Sequence, residues 1–231
     1  MFKTVPTFFG PLVAIETDDR IGDELERVGH WEFQDFLEII EIYQRLFSNK
    51  LGTILDIGCN IGTWTIPLAH RFSNNKVMAF DCQSVAIECV NRSVRLNHLA
   101  NVSTMWCAIS DVDQSVSYNE INYNWGANFG AFEFETPFIN SDFNGKLSNN
   151  TSKIEVQTVD SLNIDHVSFI KIDVEGMEHK VLKGSAETIK RCRPMIVWEH
   201  HKTNRDLANK LLTTLGYKEY NSIGQLTLSI P

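Results

Sequence analysis

The alternation of short apolar runs with helical stripes, broken by aspartates and glycines, constrains this chain more than any other feature. Thr53-Ile-Leu-Asp-Ile57 is a β-branched run cut by Gly58, and Thr63 to Phe72 after it reads as helix. Lys76-Val-Met-Ala-Phe80 repeats the pattern, ends in Asp81 and leads to Val85, Ile87, Val90, Val94 and Leu96 at helical spacing. Each parallel crossover must pack a helix on a sheet face, so this rhythm predicts an α/β fold with a mostly parallel, doubly wound sheet.

The rest of the chain extends the same frame. Trp31, Phe33, Phe36, Ile39, Ile40 and Tyr43 give a helical stripe over Gly29 to Phe47, so residues 1–50 read as an N-terminal helical segment ahead of a core at 51–231. A third strand covers Val102 to Ile109. From about 112 to 152 the rhythm fails: Asn is frequent, and Phe129-Gly-Ala-Phe-Glu-Phe134 alternates, which predicts an irregular insertion with a β-hairpin. Strands are then expected at Ile154 to Val159, Val167 to Ile172, Met195 to Trp198 and near Gln225 to Ile230. Helices are expected from about Met177 to Arg191 and from Asn204 to Leu215.

A formal net charge of -8 argues against a nucleic-acid partner, which would gather Lys and Arg to displace counterions. No basic stretch leads into a long apolar run at the start, and no apolar window is long enough to span a bilayer. The expectation is a soluble, cytoplasmic protein. The five cysteines form no C-x-x-C pair, and the reading is buried free thiols without a metal.

Chemistry concentrates at the predicted strand ends. Asp56-Ile-Gly-Cys-Asn-Ile-Gly62 sits where a first strand turns into its helix, and Gly58 and Gly62 let the backbone bend sharply beside a ligand. The glycine spacing is not the dinucleotide fingerprint, and Asp56 disfavours a phosphate. Asp81 ends the second strand, where a carboxylate can accept hydrogen bonds from both hydroxyls of a ribose; its alternative role is to cap the following helix. Asp173 and Glu175 end the Val167 strand, and Glu199, His200 and His201 end the next. In an open α/β sheet the ligand crevice lies at the carboxyl ends of the strands, which predicts one cleft for all of these groups.

The joined motifs resemble the FkbM-type methyltransferases. They are Asp56 to Gly62, Ala79-Phe-Asp81, Ala108-Ile-Ser-Asp111, Thr158-Val-Asp-Ser-Leu162, Lys171-Ile-Asp-Val-Glu-Gly176, Leu182-Lys-Gly184, Arg193-Pro194 and Glu199. Asp81 stands where that family more often has Glu, and Cys59 where Ala is common. The resemblance spans about Gly29 to His201. It implies a Rossmann-like class I methyltransferase fold with a seven-stranded sheet, S-adenosylmethionine as donor, and O-methylation of a sugar or another small hydroxylated acceptor.

On that reading the donor is held by Glu32, Asp56, Gly58, Asn60, Gly62, Asp81, Ala108 and Asp173. Glu32, from a segment that either folds over the donor as a lid or simply packs on the sheet, would reach its amino end. The candidate bases are Asp173, Glu175, Glu199 and His200, the last because imidazole titrates near neutrality; the alternative role of each carboxylate is to cap the next helix or to pair with Lys171 or Arg193. Tyr118, Tyr123, Trp125 and Phe129 either stack on an acceptor ring or form a small satellite core. The alternatives are a small-molecule N- or carboxyl-methyltransferase and a relative that binds the donor without turnover. No Asn-Pro-Pro-Tyr-type segment for a base amine is present. Acceptor identity and oligomeric state do not follow from the residues.

Overall fold

The computed structural model describes residues 1–47, 51–133 and 147–231. The chain opens with a hairpin of β1 (Phe2–Val5) and β2 (Leu12–Ile15), followed by α1 (Ile21–Val28) and α2 (Phe33–Phe47). Then come β3 (Thr53–Ile57), α3 (Thr65–Arg71), β4 (Val77–Asp81), α4 (Ser84–Leu96), β5 (Val102–Trp106), β6 (Ala108–Ile109), β7 (Gln114–Ile121) and β8 (Leu147–Gln157). The second half runs β9 (Val167–Ile172), α5 (Glu178–Lys183), α6 (Ala186–Cys192), β10 (Met195–Glu199), α7 (Arg205–Thr214), β11 (Lys218–Ile223) and β12 (Leu226–Ile230).

Seven strands form one sheet in the order β11-β12-β10-β9-β3-β4-β5. The pairs from β10 to β5 are parallel, and β12 and β11 add antiparallel pairs at one edge. The strand order reverses beside β3: its own continuation goes to β4 and β5, whereas β9 and β10 lie on its other side. That switch opens a crevice above the carboxyl ends of β3 and β9.

Both faces are covered. Leu55, Ile57, Ile170, Ile172, Ile196 and Trp198 pack with Val181, Leu182, Ile189 and Leu212 of α5 to α7. Ile54, Phe169, Met195 and Val197 pack with Ile39, Ile40, Tyr43, Trp64 and Leu68 of α2 and α3. Because successive strand residues point to opposite faces, this assignment also fixes where the polar strand residues go. Asp56 follows Ile54, Lys171 follows Phe169 and Glu199 follows Val197, all onto the α2 and α3 face.

Several boundaries differ from the sequence expectation. The N-terminal segment begins with a hairpin whose strands pack on α4, where the Val13 N–H donates to Ser93 Oγ at 2.8 Å. The expected third strand splits: β5 joins the main sheet, and β6 leaves it for a small sheet ordered β6-β8-β7. The insertion is an antiparallel pair of β7 with β8, and Phe129–Ala131 is a single 3-10 turn; Phe134 lies outside the described residues. The helix expected over Met177 to Arg191 breaks at Gly184, where a Cβ would sit 2.0 Å from the Ser110 carbonyl oxygen, so the chain bends to let two backbones touch. No helix among the described residues is long and apolar enough to cross a membrane.

Candidate functional site

A cleft of about 600 Å³, counted out to its open mouth, lies over the carboxyl ends of β3, β4 and β9 and includes Gly58, Asn60, Asp81, Gln83, Ala108, Asp173 and Glu175 in its wall. On one side the β3 turn supplies the floor. Gly58 (φ +77°) and Asn60 (φ +49°) are both left-handed, which turns the Asn60 N–H toward β4. That N–H donates to Asp81 Oδ2 at 2.8 Å, and the Gln83 N–H donates to Oδ1 at 2.8 Å. The carboxylate is thus fixed with one N–H on each oxygen, leaving each oxygen further acceptor capacity. Burial pushes the Asp81 carboxyl up to about 6, against the pull of those two N–H groups.

Gln83 also reaches the insertion. Its Nε2 donates to the Phe129 carbonyl oxygen at 2.8 Å, and Tyr123 Oη donates to its Oε1 at 3.0 Å. Tyr123 and Phe129 pack ring to ring, with Phe129 fully buried, so these two aromatics belong to a satellite core, whereas Trp125 is exposed.

The other side of the cleft is acidic. The turn Asp173 to Gly176 is shaped by Glu178, a fully buried carboxylate that accepts from the Val174 N–H at 2.9 Å and the Gly176 N–H at 3.1 Å. Glu175 sits there at φ +55°, with Lys202 Nζ 2.6 Å from its Oε2 and the same ammonium 3.2 Å from Glu133. Burial, aided by the charge of Asp173, pushes Glu175 up to about 7. Oxygens of Asp173, Glu178 and Glu199 come within 4.8 Å of one another. Burial, then the negative charges of Asp173, Glu175 and Glu178, push Glu199 up to about 9. Its buried Oε2 has no hydrogen-bond partner among the described residues.

Not every expected residue reaches the cleft. Asp56 is fully buried beneath the turn: Thr65 Oγ1 donates to its Oδ2 at 2.6 Å, and Lys171 Nζ lies 3.9 Å from its Oδ1. Gly62 (φ +92°) packs on Val90 of α4 and stays out of the cleft wall. Gly58 leaves its Cβ space to the Asp173 carbonyl oxygen, which a Cβ would meet at 1.7 Å, so this glycine serves strand-end packing as well as the wall. Glu32 lies outside the wall, accepting from Trp64 Nε1 at 2.9 Å. His200 turns the other way from Glu199: its Nδ1 is 3.0 Å from Thr227 Oγ1 of β12. The sequence reading missed Glu178 and Lys202, and offered Lys171 only as an ion-pair partner for the strand-end carboxylates. The signal for Lys171 was in plain view, a lysine at an inward position of an otherwise uncharged strand.

A family model described as the methyltransferase FkbM domain matches residues 56–222. Methyltransferase 1 from Beauveria bassiana (strain ARSEF 2860) is 26% identical over 168 residues, covering 64% of this chain and 68% of that protein. The crystal structure of methyltransferase FkbM from Methylobacillus flagellatus KT superposes with a TM-score of 0.53 at 17% identity, over 78% of this chain and 44% of that one. This chain therefore spans less than half the length of that protein. Magnesium protoporphyrin IX methyltransferase from Synechocystis PCC 6803, solved with bound SAM, gives a TM-score of 0.47 at 11% identity, over 85% of this chain and 78% of that one.

Proposed function

The chain belongs to the FkbM methyltransferase family, and from that premise we propose that it moves the methyl group of S-adenosylmethionine to a hydroxyl of a small, sugar-like acceptor. The observation that carries this reading is that Asp81 and Glu175 line the same cleft. The residues present suit the donor. Asp81 is held by two N–H groups with acceptor capacity left over for a ribose diol, and Gly58, Asn60 and Ala108 complete that wall. Asp56, Gly62 and Glu32 support the wall from behind. When bound, S-adenosylmethionine supplies a methyl group on a cationic sulfur, ready for in-line attack.

Glu175 is the base in this proposal. A carboxyl near 7 is ionised in a large fraction of molecules at neutral pH and still basic enough to take a hydroxyl proton as the acceptor oxygen attacks. Lys202, shared with Glu133, keeps a partner when Glu175 becomes neutral. Glu199, near 9, carries a proton at neutral pH and is therefore not the base. His200 has no part, since its ring faces Thr227. The net charge of -8 supports a small-molecule acceptor over a nucleic acid.

The test is a methyl-transfer assay with labelled donor, run on a panel of hydroxylated acceptors with the native protein and Glu175→Gln. Transfer to a hydroxyl that falls at least about a hundredfold in the variant supports the assignment. A second reading, an amine acceptor, is favoured by the carboxylates of Asp173 and Glu175 in the cleft wall, which would attract an ammonium group. Methylation of amines alone, at a rate that Glu175→Gln leaves unchanged, would establish that second reading instead.

A further inference from the structure

Lys171 is almost fully buried within β9, whose six residues are all buried and of which it is the one charged member. Its register partner across the switch point is Asp56 of β3. The ammonium donates to Asp173 Oδ2 at 3.0 Å and reaches the Gly58 carbonyl oxygen at 3.4 Å, with Asp56 Oδ1 at 3.9 Å. Gly58 belongs to the donor wall of the cleft and Asp173 to the acidic wall, yet Lys171 lines neither.

A buried ammonium persists only when paired. Burial alone would depress Lys171, but the carboxylates of Asp173, Asp56 and Glu32 outweigh it and hold the group charged, above its ordinary range. We propose that Lys171 is a positioning residue that fixes the Gly58 turn against Asp173, so that the donor and acceptor walls keep one spacing. The assignment rests on the methyltransferase reading above and acts through Asp173 and Gly58, without contact to either substrate.

The groups facing the ammonium are Asp56 from β3, Asp173 beyond the end of β9 and Glu32 from the N-terminal segment, with Glu199 of β10 also within its field. In Lys171→Met the carboxyls of Asp56 and Glu32, both raised by burial and lowered by this cation, lose it, and protons can replace it in part as the pH falls. Calorimetric titration with S-adenosylmethionine, on protein shown to be folded by circular dichroism, measures the result. At about pH 8 the variant should bind roughly tenfold to a hundredfold more weakly than native. That deficit should shrink toward about pH 6 when it is read in an Asp81→Asn background, because the Lys171 charge also lowers Asp81 and its removal would otherwise shift that carboxyl as well.

Should Lys171→Met not fold, Lys171→Met/Asp173→Asn carries the measurement, since it removes an anion with the cation. Its affinity should lie within about tenfold of Asp173→Asn alone, because with that carboxylate gone only the lysine's contacts with Gly58 and Asp56 remain to be lost. A native-like affinity in Lys171→Met, a deficit independent of pH, or a double variant much weaker than Asp173→Asn would each overturn the assignment. Failure of the native protein to bind S-adenosylmethionine would overturn the donor reading itself and this assignment with it.

Discussion

Replacing Glu199 with glutamine tests the electrostatics behind the acidic wall most directly, since Glu199 lies against Asp173 and Glu178 without lining the cleft. Ionising this carboxyl in the folded protein means adding a buried negative charge beside Asp173, Glu175 and Glu178, which moves it from an ordinary 4.5 to about 9. Each tenfold change in proton affinity corresponds to about 1.4 kcal/mol, so the upper bound on the cost of ionisation in place is about 6 kcal/mol. The side chain keeps some contact with water, and halving that figure for screening leaves ~3 kcal/mol. The sign follows from proton counts. Above 4.5 the unfolded chain has released this proton while the folded one still holds it, so stability is complete below 4.5 and is lost as pH rises toward 9.

Between about pH 6 and about pH 9 the native protein should therefore lose ~2 kcal/mol from this residue, or roughly 4–8 °C of melting temperature for a chain of this size. Thermal unfolding followed by circular dichroism across that range reads it out. Glu199→Gln should show a clearly shallower decline, with the remainder coming from Glu175, whose carboxyl is also raised. Native and variant melting curves that fall in parallel would refute the reasoning, since the protonated carboxyl would then have no energetic weight.

Other perturbations probe the opposite wall and its frame. Gly58→Ala places a Cβ 1.7 Å from a backbone oxygen at φ +77°, and a loss of more than about 3 kcal/mol is expected in urea unfolding; an unchanged midpoint would contradict the packing described. Asp81→Asn should weaken S-adenosylmethionine roughly tenfold or more. Native affinity should itself fall as pH drops below about 6, where the carboxylate takes up its proton; calorimetry showing a flat profile would exclude Asp81 from the ribose role. Lys202→Met removes the cation that lowers Glu175, so the acid limb of the transfer rate should move to higher pH, and an unmoved limb would remove Glu175 as the base.

Much of this was legible in the residues because strand parity and strand ends are local properties. The run Thr53 to Ile57, the Gly58 break and the helix Ser84–Leu96 announce the fold, since each needs only neighbours in sequence to be specified. Parity also held information that the sequence reading did not use. Glu199 and His200 are adjacent on one strand end and point to opposite faces, so they could not share one site, and neither lines the cleft. Asp56 was harder. Its burial depends on Lys171 arriving from a strand more than a hundred residues later, and nothing near Asp56 reports that pairing. The small sheet was illegible for the same reason: β6, β7 and β8 pair across the insertion and leave only a weak local alternation. Glu178 escaped notice because a glutamate opening a helix is ordinary, and its service to the turn before it is visible only in three dimensions.

Gln83 joins two parts of the molecule that are free to vary separately in sequence. The N–H that steadies the Asp81 carboxylate and the side chain that grips Tyr123 and the Phe129 carbonyl belong to one residue. The insertion is thus less an appendage than a cassette clipped to the end of β4. A graft of some other insertion into this scaffold must bring its own acceptor and donor for that amide, or the swap will loosen the Asp81 carboxylate as well.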